Sequence, residues 1–394
     1  MDIVRKSTGR AIHVGVNAHL LSLVHSYRSA GINWYLYHLL RSLPEVHSQF
    51  RYTAFVGNGC HVVVPGIQSW VSSWPTHHPL VRMMWEQGVQ PVAIRRLGLD
   101  LLHAPAFVGP LWSSCPVVLT IHDLSFLFFP QGFRPLNRWY LSLFTRLSVR
   151  RARRIIAVSQ STRRDLKRCY GLPSAQIDVI YNGVDPGFHP WSEAEVTAFR
   201  IVHGLPDRFL LFVGTLEPRK NVVRLIEAYA RLSRPRPPLF LVGGTGWLYD
   251  EVFARIESLD LNDEVRHVGY VPAEDLSGWY NAAELFVYPS LYEGFGLPPL
   301  EAMACGTPVI ASNSSSLPEV VGEAGILVDP ANTEALTEAL ERVLRDSQLR
   351  ETLRAKGLTQ AQRFSWRKTA QGTVETYQRA LLEKEGERHV PALP

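Results

Sequence analysis

Short apolar runs alternate with amphipathic stretches of helical period through most of this 394-residue chain, and the alternation starts twice. A short, continuously apolar run suits a strand buried on both faces, and the amphipathic stretch after it covers the sheet. Strand–helix alternation implies parallel sheets wound by right-handed crossovers. The first series predicts strands at Ala11–Ala18, Arg51–Gly57, Asp100–Ala104, Pro116–His122, Arg154–Ser159 and Ile177–Asn182. Helices are predicted at Gly31–Leu43, Asn137–Arg153 and Gln160–Tyr170, with Ser159 or Ser161 capping the last. After the Gly- and Pro-rich Gly183–Pro190 the second series begins. It predicts strands at Phe209–Gly214, Leu239–Gly243, Val265–Val268, Leu285–Pro289 and Pro308–Ala311. Its helices fall near Asn221–Leu232, Leu248–Leu259, Ala273–Asn281 and Pro298–Ala304. A final amphipathic helix is expected over Phe364–Lys384. The expectation is an α/β protein of two Rossmann-like, doubly wound parallel-sheet domains, residues 1–187 and 188–363, facing across a cleft.

Several classes are disfavoured. No window reaches the ~20 apolar residues of a membrane span. No long apolar stretch follows the three basic residues of Met1–Arg10, so no secretory signal is read there. Cys60, Cys115, Cys169 and Cys305 form no Cys-x-x-Cys pair and no metal-ligand spacing with a histidine. A reducing cytoplasmic setting is expected. Net charge is +5, and nine Lys/Arg fall between Arg146 and Arg168 against Asp165 alone. That run is either a solvated face or a site for an anionic partner. No nucleic-acid-binding signature accompanies it, so no nucleic-acid partner is expected. Just before it lies an apolar loop, Leu124–Phe133, with Phe126, Phe128, Phe129 and Phe133. If that loop is exposed, an anionic membrane surface becomes a candidate partner, with the protein peripheral on the inner face. The alternative is a loop folded into the core beside an ordinary solvated helix.

Three segments carry chemistry. Tyr288–Ser312 runs from strand through a loop with Gly294 and Gly296 into a helix starting at Pro298 or Pro299 and ended by Gly306. A strand, a glycine loop and a helix N-terminus make an anion-binding geometry. Glu293 on the loop and Glu301 in the helix can face a sugar and ribose hydroxyls, although a lone first-turn Glu often only complements the helix dipole. In Phe209–Asn221, Arg219 and Lys220 precede a helix N-terminus, where two cations are unfavourable unless an anion is present. In Val117–Asp123, a strand ends on His122 and Asp123, at the edge where open α/β sheets bind ligands; a structural histidine is an equal reading. Gly243–Gly246 and Gly269–Val271 are further glycine turns after strands. The chain contains no Asp-x-Asp, so a departing pyrophosphate would be met by cations and helix dipoles rather than by a metal.

Together these residues resemble the retaining family-4 glycosyltransferases of GT-B fold, from about Gly15 to Tyr377. Glu293 and Glu301 match that family's Glu-x7-Glu motif, and Arg219 with Lys220 its pyrophosphate-binding pair. His122 matches the histidine lining the sugar and acceptor side. The segments AVSQST, IYNGVD and Leu317–Pro330 also look like this family. The resemblance implies that Arg219, Lys220, Glu293 and His122 serve catalysis. Gly31, Gly214, Thr215, Gly244, Gly269, Tyr270, Val271, Gly294, Phe295, Gly296, Leu297 and Glu301 would hold the donor. Glu301 would bind the ribose, Glu293 with the amides of Phe295–Leu297 the sugar and phosphate, and Gly244 with Gly269–Val271 the base. A glycan or lipid-linked acceptor would dock on the first domain, and residues 364–394 would cross back onto it. The chain departs from the family at Ala30–Gly31, where many members have two glycines, and at Thr215, where many have arginine. GTLEPRKN and HDLSFLFFP look most like bacterial mannosyltransferases of polysaccharide pathways. The expected reaction moves a hexose from a GDP- or UDP-sugar, with no cofactor and no metal. The alternatives are another GT-B activity, a phosphorylase or sugar-nucleotide epimerase, and a non-catalytic two-domain sugar-binding protein.

Overall fold

The computed structural model describes residues 10–21, 31–60 and 62–383. The chain divides into two compact units. The first takes in the described residues up to Leu127, then Arg134–Gly183 and the residues from Trp366 onward; the second is Phe128–Phe133 with Val184–Ser365. Ala30 of the SAGIN segment lies outside the described residues.

The first unit is built on seven strands: β1 (His13–Asn17), β2 (Arg51–Val56), β3 (Ile67–Val71), β4 (Leu101–Ala104), β5 (Val117–Ile121), β6 (Arg154–Ala157) and β7 (Ile177–Val179). They lie in the order β3-β2-β1-β4-β5-β6-β7, every pairing parallel. The second unit has six parallel strands: β8 (Leu210–Val213), β9 (Leu239–Val242), β10 (Val265–Gly269), β11 (Leu285–Tyr288), β12 (Val309–Ser312) and β13 (Ile326–Val328). Their order is β10-β9-β8-β11-β12-β13. Central strands such as LLFV, LFLV and LFVY are buried along their whole length. Helices on both faces of the sheet leave no solvent side, so these strands show no polar alternation. At the edge, β10 does alternate, with Val265 buried and Arg266 exposed.

Local chemistry sets the helix limits. Ser159, not Ser161, caps Gln160–Tyr170 by accepting from the Thr162 amide. The helix Glu193–His203, which apolar periodicity did not flag, opens on a capping box between Ser192 and Glu195 and closes on left-handed Gly204. The final helix, Trp366–Leu382, belongs to the first unit and packs on Ile32–Val46. Its Tyr377 hydroxyl meets His103 Nδ1 at 2.7 Å inside the core, and His103 Nε2 reaches Thr120 Oγ1 at 2.8 Å.

Two alternatives left open by the sequence are narrowed here. The Leu124–Phe133 segment is not an exposed apolar loop: Ser125–Phe128 is a helical turn and Phe126 is buried. Phe128 and Phe129 lie 5.3 and 6.0 Å from the Tyr292 ring, within the second unit. The basic run is split between elements: Arg146, Arg150, Arg151, Arg164, Lys167 and Arg168 are exposed, whereas Arg154 is not. Arg154 opens β6, is buried, and pairs with Asp178 at 2.8 Å and Glu383 at 2.7 Å.

Candidate active site

Both the cations and the first acid stand at the switch point of the second sheet, where the chain leaves β8 for one side and β11 for the other. After β8 the loop passes through Gly214 and Thr215 into a 3-10 turn, Pro218–Lys220. Asn221 then adopts a left-handed conformation (φ 59°) and starts the helix Val222–Ala230. Its side-chain amide ties the turn to the loops after β11 and β13 by donating to the carbonyls of Pro289 and Pro330. That aims Arg219 and Lys220 at the loop after β11.

Glu293 receives them. Its Oε2 accepts from Arg219 Nη1 at 3.0 Å, and its Oε1 from Lys220 Nζ at 2.7 Å. Tyr288 and Ser290 hydroxyls also donate to Oε1, and the Glu293 amide donates to Ser315 Oγ at 2.8 Å. Glu217 takes the other Arg219 nitrogen at 2.7 Å. Burial alone would raise the Glu293 carboxyl, but Arg219 and Lys220 outweigh it and bring it down to about 2. Lys220 is pushed below its ordinary range by burial, with Glu293 opposing. This answers the electrostatic conflict in the sequence differently from expectation. Two cations at a helix start need an anion, and Glu293 and Glu217 supply it from the chain itself. Glu293 therefore stands where an anionic ligand would be met.

The glycine loop follows. Gly296 is left-handed (φ 117°), and a Cβ there would come within 2.8 Å of Leu317. It starts the helix Leu297–Ala304. Pro298 and Pro299 carry no N–H, so of the first three helical positions only Leu297 offers an amide. The loop is braced by the Ser316 hydroxyl, which donates to the carbonyls of Glu293 and Phe295 at 2.9 and 2.6 Å.

Glu301, in the second turn of that helix, accepts from the Tyr280 hydroxyl at 2.9 Å. Burial raises its carboxyl to about 7; Tyr280 lowers it and Asp185 raises it further. The remaining donor candidates of this unit sit along the same strand edge. Gly243 presses on the backbone of Gly214, where a Cβ would meet the carbonyl oxygen at 2.2 Å. The Gly243 amide donates to Gly269 O, and Leu216 N to Gly244 O. Tyr270 is exposed and Val271 half-buried beside Gly269. Gly214, Thr215, Gly244, Gly269, Tyr270, Val271 and the 293–297 loop are thus carried on the C-terminal ends of β8, β9, β10 and β11.

His122 and Gly31 belong to the first unit. His122 follows β5, and its Nε2 lies 2.8 Å from Pro105 O. A carbonyl can only accept, so Nε2 carries the proton. Burial lowers its pKa, which keeps the ring neutral at pH 7. Gly31 is left-handed (φ 64°) at the start of Ile32–Val46, with open space where a Cβ would be. Tyr288, Ser290, Glu217 and Tyr280 escaped the sequence reading. A tyrosine ending an apolar strand, as in LFVY, reads as core.

Comparison with known proteins follows the same division. The family model described as glycosyl transferases group 1 matches residues 195–360, and that of glycosyltransferase family 4 matches residues 14–188. The O-antigen chain mannosyltransferase B of Escherichia coli is 39% identical over 293 residues, covering 73% of this chain and 76% of that protein. Among solved structures, sucrose-phosphate synthase from Thermosynechococcus elongatus superposes with a TM-score of 0.77 at 24% identity, covering 93% of this chain and 98% of the other. Anabaena HepE in complex with UDP-glucose gives 0.71 at 22% identity, over 93% and 100%.

Proposed function

The chain belongs to the group 1 glycosyl transferases, with the GT-B fold, and on that premise we propose that it moves a mannosyl residue from a nucleotide sugar, GDP-mannose first, to a glycan or lipid-linked acceptor with retention at the anomeric carbon. Transferase activity itself follows from the family; the donor, the stereochemistry and independence of metal are the proposal. The observation that carries it is the Arg219–Lys220–Glu293 cluster at the β8/β11 switch point, two cations bridged by one buried carboxylate with Glu217 on the far side of Arg219. When the donor arrives, its diphosphate takes the two cations, and the loop amides through Leu297 add donors on the other side. The glycosidic C–O bond to the diphosphate breaks, and the same phosphate oxygen takes the acceptor proton. The new C–O bond then forms on the face the leaving group vacated. Arg219 and Lys220 offset charge that grows on the leaving group, which lowers the barrier more than it tightens the ground state. Freed from the cations, Glu293 turns to the sugar hydroxyls, while Glu301 accepts from the ribose.

Mannose is favoured by the likeness to the Escherichia coli mannosyltransferase, whose match spans most of both chains. Free thiols at Cys60, Cys115, Cys169 and Cys305 suit a reducing, cytoplasmic setting. Incubation with GDP-, UDP- and ADP-sugars and a mannosylated oligosaccharide, in excess EDTA, tests the reading. GDP release with an α-linked product from GDP-α-mannose is expected. Loss of all turnover in EDTA, restored by magnesium, overturns the metal-independent chemistry; a β-linked product overturns retention.

A further inference from the structure

Apart from Val184–Ser365, the second unit holds one short stretch of chain, Phe128–Phe133. Its Phe128 and Phe129 rings lie 5.3 and 6.0 Å from the Tyr292 ring, the first edge-on and the second tilted. Both distances fall in the range where aromatic pairs attract. Tyr292 is 9% exposed, although Leu291 beside it is 36% exposed. It directly precedes Glu293 in the loop after β11. The stretch 290–292 grips Arg219 at both ends. At the main chain, the Leu291 amide and the Ser290 hydroxyl donate to the Arg219 carbonyl at 2.8 and 3.2 Å. At the side chain, Arg219 Nη1 donates to the Tyr292 carbonyl at 2.7 Å. Ser314 fixes the near side of this stretch, its hydroxyl lying 3.1 and 3.0 Å from the carbonyls of Ser290 and Leu291. The far side is set by where the Tyr292 ring rests.

The acceptors around the Arg219 guanidinium differ in kind. Glu293 Oε2 at 3.0 Å and Glu217 Oε1 at 2.7 Å are charged side chains, and a diphosphate competes with both for the same cation. The Tyr292 carbonyl is neutral main chain and stays where its own loop is held. It is the acceptor that orients the planar fork while the fork faces a ligand. We propose that Phe128 and Phe129 are positioning residues for the transfer: they seat the Tyr292 ring, the seated ring fixes the Tyr292 carbonyl, and the carbonyl aims Arg219 at the departing diphosphate. Neither phenylalanine need touch the donor. The role rests on the reading of Arg219 as the cation that meets the diphosphate, and it brings into the machinery an aromatic pair that acts through Tyr292.

The experiment is a double-mutant cycle on kcat, read as GDP release from GDP-mannose with a saturating mannosylated oligosaccharide. Its corners are wild type, Phe128→Ala with Phe129→Ala, Arg219→Ala, and the three substitutions together, matched by far-UV circular dichroism. A remote change that misplaces a catalytic group by about 1 Å costs up to ~10²-fold, so the phenylalanine pair should lower kcat by roughly 10- to 100-fold in the wild-type background. In the Arg219→Ala background it should cost less than about twofold, because no guanidinium is left to aim. Tyr292→Ala removes the seat from the other side and keeps the carbonyl. It should reproduce the loss of the pair with the same dependence on Arg219, and it serves if the pair does not fold. Calorimetry with inorganic pyrophosphate repeats the cycle without a donor: the pair should weaken binding in the wild-type background and leave it unchanged in Arg219→Ala. Equal losses in the two backgrounds overturn the proposal, and a large loss from Arg219→Ala in the same data keeps the reading of Arg219 itself. A kcat of the phenylalanine pair within about twofold of wild type also overturns the proposal. Near-normal turnover in Arg219→Ala overturns both.

Discussion

Glu293→Gln is the substitution that most directly interrogates the site. It keeps the shape of the side chain and removes one charge between Arg219 and Lys220, which lie 3.0 and 2.7 Å away. In the folded protein the carboxyl ionises at about 2 rather than 4.5. A carboxyl depressed in this way stabilises the fold fully above pH 4.5 and loses that contribution as pH falls toward 2. The gap corresponds to roughly 3 kcal/mol at neutral pH. Breaking a buried ion pair by removing one partner costs about 3–5 kcal/mol, because the remaining charge is left uncompensated. The two routes agree, and for a domain of this size they imply a fall in Tm of roughly 10 °C at pH 7. The deficit should shrink as the wild type is acidified from pH 4.5. Inorganic pyrophosphate should then restore more stability to the variant than it adds to wild type, since only in wild type must it compete with a carboxylate. Differential scanning fluorimetry across pH, with and without pyrophosphate, reads both effects. A Tm within ~2 °C of wild type, less than 1 kcal/mol, refutes the claim that Glu293 compensates the pair's charge. Equal pyrophosphate responses refute the claim that it occupies the anion's place.

Arg219→Ala and Lys220→Ala should each lower turnover by ~10²–10³ with unchanged far-UV circular dichroism, the usual loss when one charge-stabilising donor is removed; near-normal turnover in both would take them out of the mechanism. Glu301 keeps its proton up to about pH 7, so a ribose contact that needs its carboxylate is lost on acidification. Calorimetry should find nucleotide bound about tenfold more weakly at pH 6 than at pH 8, and about equally at both in Glu301→Gln; a flat wild-type profile would sink the assignment.

What could be read in advance follows from what each residue's environment encodes. Strands such as LLFV and LFLV are apolar throughout because both faces are covered, and such runs need no partner to be recognised. The edge strand β3, IQSWV, shows only Ile67 fully buried, and so carries too little apolar signal. The helices over Pro79–Leu97 are broken by a π-turn at Trp85–Val89, which shifts the period that would reveal them. In the site, Arg219, Lys220 and Glu293 were each legible from their local motifs. Their mutual pairing was not, because Lys220 and Glu293 are 73 residues apart and meet only when β11 is laid beside β8.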